Sequence, residues 1–86
     1  MAEVRVARQA AKDLERLPKT YLAPAAAALR SLGPEPLAGK PLGGDLSGLR
    51  SLRVGMYRIV YRFDPHTGVV DVIWIRHRRE VYRRAR

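Results

Sequence analysis

A chain of 86 residues with 47% hydrophobic content suits one domain, residues 1–86, whose core must recruit almost every apolar side chain, because at this length only about 60 to 65% of the unfolded surface is buried. No apolar run approaches the ~20 residues of a bilayer span, and MAEVRVARQAAKD has no apolar stretch ahead of a small-residue cleavage site, so a soluble, cytoplasmic protein with no membrane partner is expected. The absence of cysteine excludes disulfides, a thiolate nucleophile and cysteine-based zinc sites, and His66 and His77 lack a matching carboxylate cluster, so neither metal nor cofactor is expected.

The charge of +9 is unevenly placed: residues 1–49 carry 7 basic and 5 acidic groups, whereas residues 50–86 carry 10 arginines and 3 acids. Such a surplus predicts attraction to nucleic acid or to an acidic protein. Arginine adds a fork suited to bidentate phosphate contacts and a flat face that stacks on rings. A coding bias towards arginine is the bland alternative.

In chain order, residues 3–7 alternate around Val4 and Val6 and read as a short strand. From Arg8 to Leu17 the period changes. Ala10, Ala11, Leu14 and Leu17 form one helical stripe, which Pro18 stops. A second helix is predicted from Thr20, its candidate cap, to Leu32, burying Leu22, Ala25, Ala26, Leu29 and Leu32. The next stretch, GPEPLAGKPLGGDLSG, holds five Gly and three Pro and suits neither helix nor central strand, although Leu37, Leu42 and Leu46 are spaced to pin it to the body. Its GKPLGG lacks the spacing and the hydroxyl of a phosphate-binding P-loop. Strands are predicted at Leu49–Val54, Met56–Phe63 and Val69–Ile75, with a turn or bulge at Gly55 and a hairpin connection at Asp64–Gly68. This order predicts an α+β fold: an N-terminal strand, a two-helix hairpin, then three antiparallel strands, together forming a four-stranded sheet with helices on one face and one open basic face.

Alternation in MYRIVYRF puts Tyr57, Ile59, Tyr61 and Phe63 on the helix side and Arg58 on the other, with Arg62 towards the rim. Ser51 and Arg53 of the preceding strand fall on one side, Leu52 and Val54 on the other. If Arg53 and Arg58 share the open face, their repulsion calls for an anion, or for Asp71 or Glu80 as a structural partner. The closing IRHRREVYRR sets an aromatic within cations, a composition that holds nucleic-acid backbones and stacks bases, or that forms a solvated helix with Glu80 paired to Arg84. His77 suits proton transfer or a structural hydrogen bond. Metal-free RNA cleavage needs deprotonation of a 2′-OH, stabilisation of charge at phosphorus and help for the leaving 5′ oxygen. Arginines suit the second task. The first falls to Tyr82, His77, Lys40 or the substrate's surroundings, because arginine almost never gives up its proton.

With AAKDLERLP, GKPLGGDLSGLRSLRVGMYRIVYRFD and HRREVYR in this order, the whole chain resembles the RelE/ParE superfamily of type II toxin–antitoxin toxins. RelE-like members cut mRNA in the ribosomal A site, and ParE-like members act on DNA gyrase. The resemblance implies a ribosome-dependent endoribonuclease with Arg53, Arg58, Arg78 and Tyr82 as catalytic residues and Lys40, Arg50, His77, Arg79 and Arg83 as RNA contacts. It also implies mRNA on the 70S ribosome as partner, and a cognate antitoxin whose acidic or amphipathic segment wraps the toxin in a hetero-oligomer. One departure stands out: the family places a basic residue two before Arg53, where this chain has Ser51, and Arg50 alternates to the other face. A gyrase-inhibiting toxin, or a weakly active member that mainly binds antitoxin, are the alternatives.

Overall fold

The computed structural model describes residues 1–80. Strand β1 (Glu3–Val6) leads into helices α1 (Arg8–Arg16) and α2 (Lys19–Ser31). There follow a two-residue strand β2 (Lys40–Pro41), a 3-10 turn at Gly44–Leu46, and strands β3 (Arg50–Val54), β4 (Tyr57–Asp64) and β5 (Val69–His77). The expected order of strand, helix pair and three strands is present. The expected four-stranded sheet is corrected to a mixed sheet of five strands in the order β1-β5-β4-β3-β2, in which β1 runs parallel to β5 and the other neighbours are antiparallel. The additional strand arises inside the Gly/Pro-rich stretch, where Lys40 and Pro41 pair with Ser51 and Arg50. Proline is tolerated there because an edge strand need not donate on its outer side.

Good helix formers fill α1, and Pro18 ends it and becomes the N-cap of α2, so Thr20 lies inside the first turn and caps nothing. The face of α1 that enters the core carries Ala10, Leu14 and Leu17 together with buried Asp13, whereas Ala11 is exposed. In α2 the buried stripe is Ala25, Leu29 and Leu32 with Tyr21 and Ala28 packed beside them, and Leu22 remains 41% exposed. The stripe is rotated from the expected one because Tyr21 packs edge-on against Tyr57, ring centroids 4.9 Å apart.

Against this helix layer β4 presents Ile59 and Tyr61, β5 presents Val70, Val72 and Ile75, and β3 presents Val54, with Tyr57 and Phe63 at the margins. That set breaks the two-residue period of β5. Val60 pairs with Trp74 but Tyr61 pairs with Val72, so Ile73 is an extra residue in a β-bulge. Without it Ile75 would face away from Val70 and Val72.

The other sheet face is less open than the alternation predicted. Leu46 and Val60 are buried there beneath Leu42, Leu49 and Trp74, so the 42–49 segment covers part of it. Leu37 does not contribute, being 59% exposed. The preceding residues are held by polar contacts instead. Tyr61, fully buried, donates its hydroxyl to the Pro36 carbonyl at 2.8 Å and accepts the Gly39 N–H at 2.9 Å. A Cβ on residue 39 would lie 2.8 Å from the Tyr61 ring, which only glycine avoids. Arg50 Nη1 donates to the Gly39 carbonyl at 2.8 Å and to that of Leu37 at 3.3 Å. Among the described residues no helix is long and apolar enough to cross a membrane.

Tyr61→Phe removes the buried partner of two main-chain groups and is expected to lower stability by about 1–3 kcal/mol in urea unfolding. Leu22→Ser, on the exposed side of α2, is expected to stay within about 0.5 kcal/mol of the parent.

Candidate nucleic-acid interface

Residues directly opposite in neighbouring strands share a face, with Cβ atoms about 4.5–5.5 Å apart. Arg53 pairs with Arg58, and Arg58 pairs with Arg76, so three arginines from β3, β4 and β5 form one row across the sheet on the face away from the helices. Arg53 is exposed and donates its Nε to the Gly55 carbonyl at 3.2 Å; Arg58 and Arg76 are half-buried. Arg62 stands apart from the row. It pairs with Asp71, which also pairs with Arg5 of β1, so Asp71 serves the far end of the sheet and is not the register partner of Arg58.

A fourth cation joins from the edge. Lys40 lies opposite Ser51, in the row next to that of Arg53 and Arg58. Lys40, Ser51, Arg53 and Arg58, with Ala38 and Leu52, line a cleft of about 250 Å³. Ser51 is only 4% exposed, and its Oγ has no hydrogen-bond partner among the described residues. The lysine of this cleft comes from one strand further out, on the segment that Tyr61 and Arg50 hold.

Arg76 is the member of the row that sequence reasoning missed: the last strand was expected to end at Ile75, whereas β5 runs to His77, and the bulge sets its register. Counting back from the hairpin in strict register pairs Arg58 with Ile75, whereas the extra residue at Ile73 brings Arg76 there instead. Beyond Val72, β5 has no β1 residue beside it. Helix α1 covers that free edge: Asp13, 7% exposed, accepts the Ile75 N–H at 3.0 Å and Arg76 Nε at 3.3 Å on the same oxygen, Oδ2. Its Oδ1 accepts Gln9 Nε2 at 2.9 Å. Across from this carboxylate the Arg76 guanidinium carbon lies 5.8 Å from the centroid of the Trp74 ring, within cation–π range.

The remaining expected site residues are dispersed. Arg50 faces the helix side, opposite Tyr61, and its guanidinium donates to the loop carbonyls, outside the row. His77 also points to that side, its ring 5.7 Å from Tyr57, and its Nδ1 accepts the Arg79 N–H at 3.3 Å. It borders a second cleft of about 410 Å³ that Asp13, Arg16, Arg76 and Glu80 also line. Arg78 and Arg79 are exposed, and the Arg78 N–H bonds the Met56 carbonyl at 2.9 Å. Tyr82 and Arg83 lie outside the described residues. Among the described residues no three His, Asp or Glu side chains gather as a metal site.

A mixed five-stranded sheet with a helix pair on one face and cations on the other defines a fold class shared with solved toxins. A chain of the RelBE2 toxin–antitoxin complex from Mycobacterium tuberculosis superposes with a TM-score of 0.82 at 38% identity, covering 90% of this chain and 98% of that one. The archaeal RelE–RelB complex from Pyrococcus horikoshii OT3 gives 0.74 at 25% identity, covering 90% and 94%. In sequence, toxin RelG of Mycobacterium tuberculosis is 41% identical over 83 residues, 94% of this chain and 95% of that protein. The family model described as ParE toxin of type II toxin-antitoxin system, parDE, matches residues 4–82, and the chain belongs to the RelE/ParE superfamily of type II toxin–antitoxin toxins.

Replacing Lys40, Arg53 or Arg58 by Gln is expected to lower the slope of log affinity against log salt for a single-stranded RNA oligonucleotide by about 0.7 each. Arg50→Gln is expected to leave that slope unchanged and to lower the melting temperature instead.

Proposed function

We propose that this toxin inhibits translation as an endoribonuclease that cuts mRNA in the A site of the ribosome. The observation that carries the reading is the row Arg53–Arg58–Arg76 with Lys40 beside it, a cationic track across the sheet. Attack of a 2′-OH on the adjacent phosphorus adds negative charge to the non-bridging oxygens, and preorganised donors aimed at that charge lower the barrier without reorganising. Arg58, at the centre of the row, and Arg76 are assigned to the scissile phosphate. Arg53 and Lys40 hold the neighbouring backbone, and Arg78, Arg79 and Arg83 extend the contact beyond the strand end. Tyr82 is assigned to proton transfer or to stacking on a base.

None of the arginines can serve as general base, since guanidinium stays protonated. The reading therefore gives much of the rate to orientation: the ribosome holds the strand bent, and the toxin supplies charge where it develops. The RelBE2 structure is of a toxin–antitoxin complex, and the Pyrococcus structure is of a RelE–RelB complex. By analogy a cognate antitoxin is proposed here, with an acidic or amphipathic segment that wraps the toxin in the cytoplasm and neutralises the +9 surface in a hetero-oligomer.

Primer extension on mRNA in translating ribosomes tests the reading. Wild type is expected to produce A-site cuts, and Arg58→Ala to reduce them about 10²- to 10³-fold, the loss typical of a removed charge-stabilising donor. Tyr82→Phe, folded by circular dichroism, is expected to cut weakly as well. Full cleavage by both variants would overturn the assignment. The match to a ParE model favours one second reading, inhibition of DNA gyrase, which a supercoiling assay on the purified protein would select if cleavage is absent.

A further inference from the structure

The row of arginines raises a physical difficulty that its own strands do not resolve. Three guanidiniums on directly opposed positions repel one another, and long flexible side chains under such repulsion swing apart. A phosphate could then be held only after they were gathered again, at an entropic cost in every catalytic cycle. Arg76 is held from outside the sheet. Asp13 of α1 bonds Arg76 Nε, and the Arg76 side chain is only 16% exposed, fixed between that carboxylate and the Trp74 ring.

We propose that Asp13 is a positioning residue of the RNA-cleaving surface, holding Arg76 through Nε so that its two terminal nitrogens are left for a phosphate. This rests on the endoribonuclease reading above and deepens it. Three features support the role. The carboxylate is itself anchored on both oxygens, by Gln9 Nε2 and by the Ile75 N–H, so it cannot follow a wandering guanidinium and instead fixes it. Because Oδ2 serves both the Ile75 main chain and the next residue's side chain, the strand and the guanidinium are located by one atom. Its negative charge at the end of the row also offsets part of the repulsion among the three guanidiniums.

An edge-capping role alone would require only an acceptor for Ile75 N–H, which asparagine also offers. Asp13→Asn keeps that acceptor and removes the charge that holds Arg76, and it is tested with Arg76→Ala and with the double variant. In single-turnover cleavage of ribosome-bound mRNA, Asp13→Asn is expected to cut about 10- to 100-fold more slowly, the cost of a misplaced group, with its half-saturating ribosome concentration unchanged. In the Arg76→Ala background the same substitution is expected to have no further effect. Wild-type rates in Asp13→Asn, or an equal slowing with and without Arg76, would overturn the proposal. If wild type cuts no mRNA, the nuclease reading has failed, and the positioning role is judged on the Arg76 Nε–H signal by nuclear magnetic resonance. Faster solvent exchange of that proton in Asp13→Asn supports it, and an unchanged rate overturns it.

Discussion

Ile73 is the extra residue in β5, and the arrangement of both sheet faces depends on it. On the helix side the bulge lets Val70, Val72 and Ile75 all enter the core, a spacing that strict alternation forbids. On the far side the same shift sets Trp74 opposite Val60, where it covers the smaller apolar cluster, and sets Arg76 opposite Arg58. A single inserted residue thus couples the packing of the core to the alignment of three cations. The core residues around it, several with no measurable exposure, give the register its rigidity.

The edge of the sheet is organised by a second, polar constraint. Tyr61 is buried among apolar neighbours, yet its hydroxyl is satisfied by the Pro36 carbonyl and the Gly39 N–H, so the aromatic body fills the core while its tip holds a loop. Arg50 adds two bonds to the same segment. Together they deliver Lys40 beside Ser51, on the rim of the cleft that Arg53 and Arg58 also line.

The folded surface separates cations by task. Arg50 fastens a loop, Arg5 pairs with Glu3, Arg62 lies opposite Asp71 at the far end of the sheet, and Arg76 is held by Asp13 within the row. What composition presents as one large surplus is therefore several local arrangements. Among the described residues, the row and its edge lysine form a track suited to a polyanion.

The sequence by itself determined the element order, the helix-facing residues of β4 and the cationic character of the second half, because these depend on local periodicity and residue type. Its sets for α1 and α2 were off by a residue in places, since a buried carboxylate at Asp13 and the Tyr21–Tyr57 contact turn each helix in ways propensity does not encode. Arg53 and Arg58 were legible as a pair from one short turn between adjacent strands. Arg76, the place of Lys40, the diversion of Arg50 and the partner of Asp71 were decided only by tertiary structure. Each depends on a register between segments distant in the chain, and a two-residue period counted along one strand carries no information about a bulge in its neighbour.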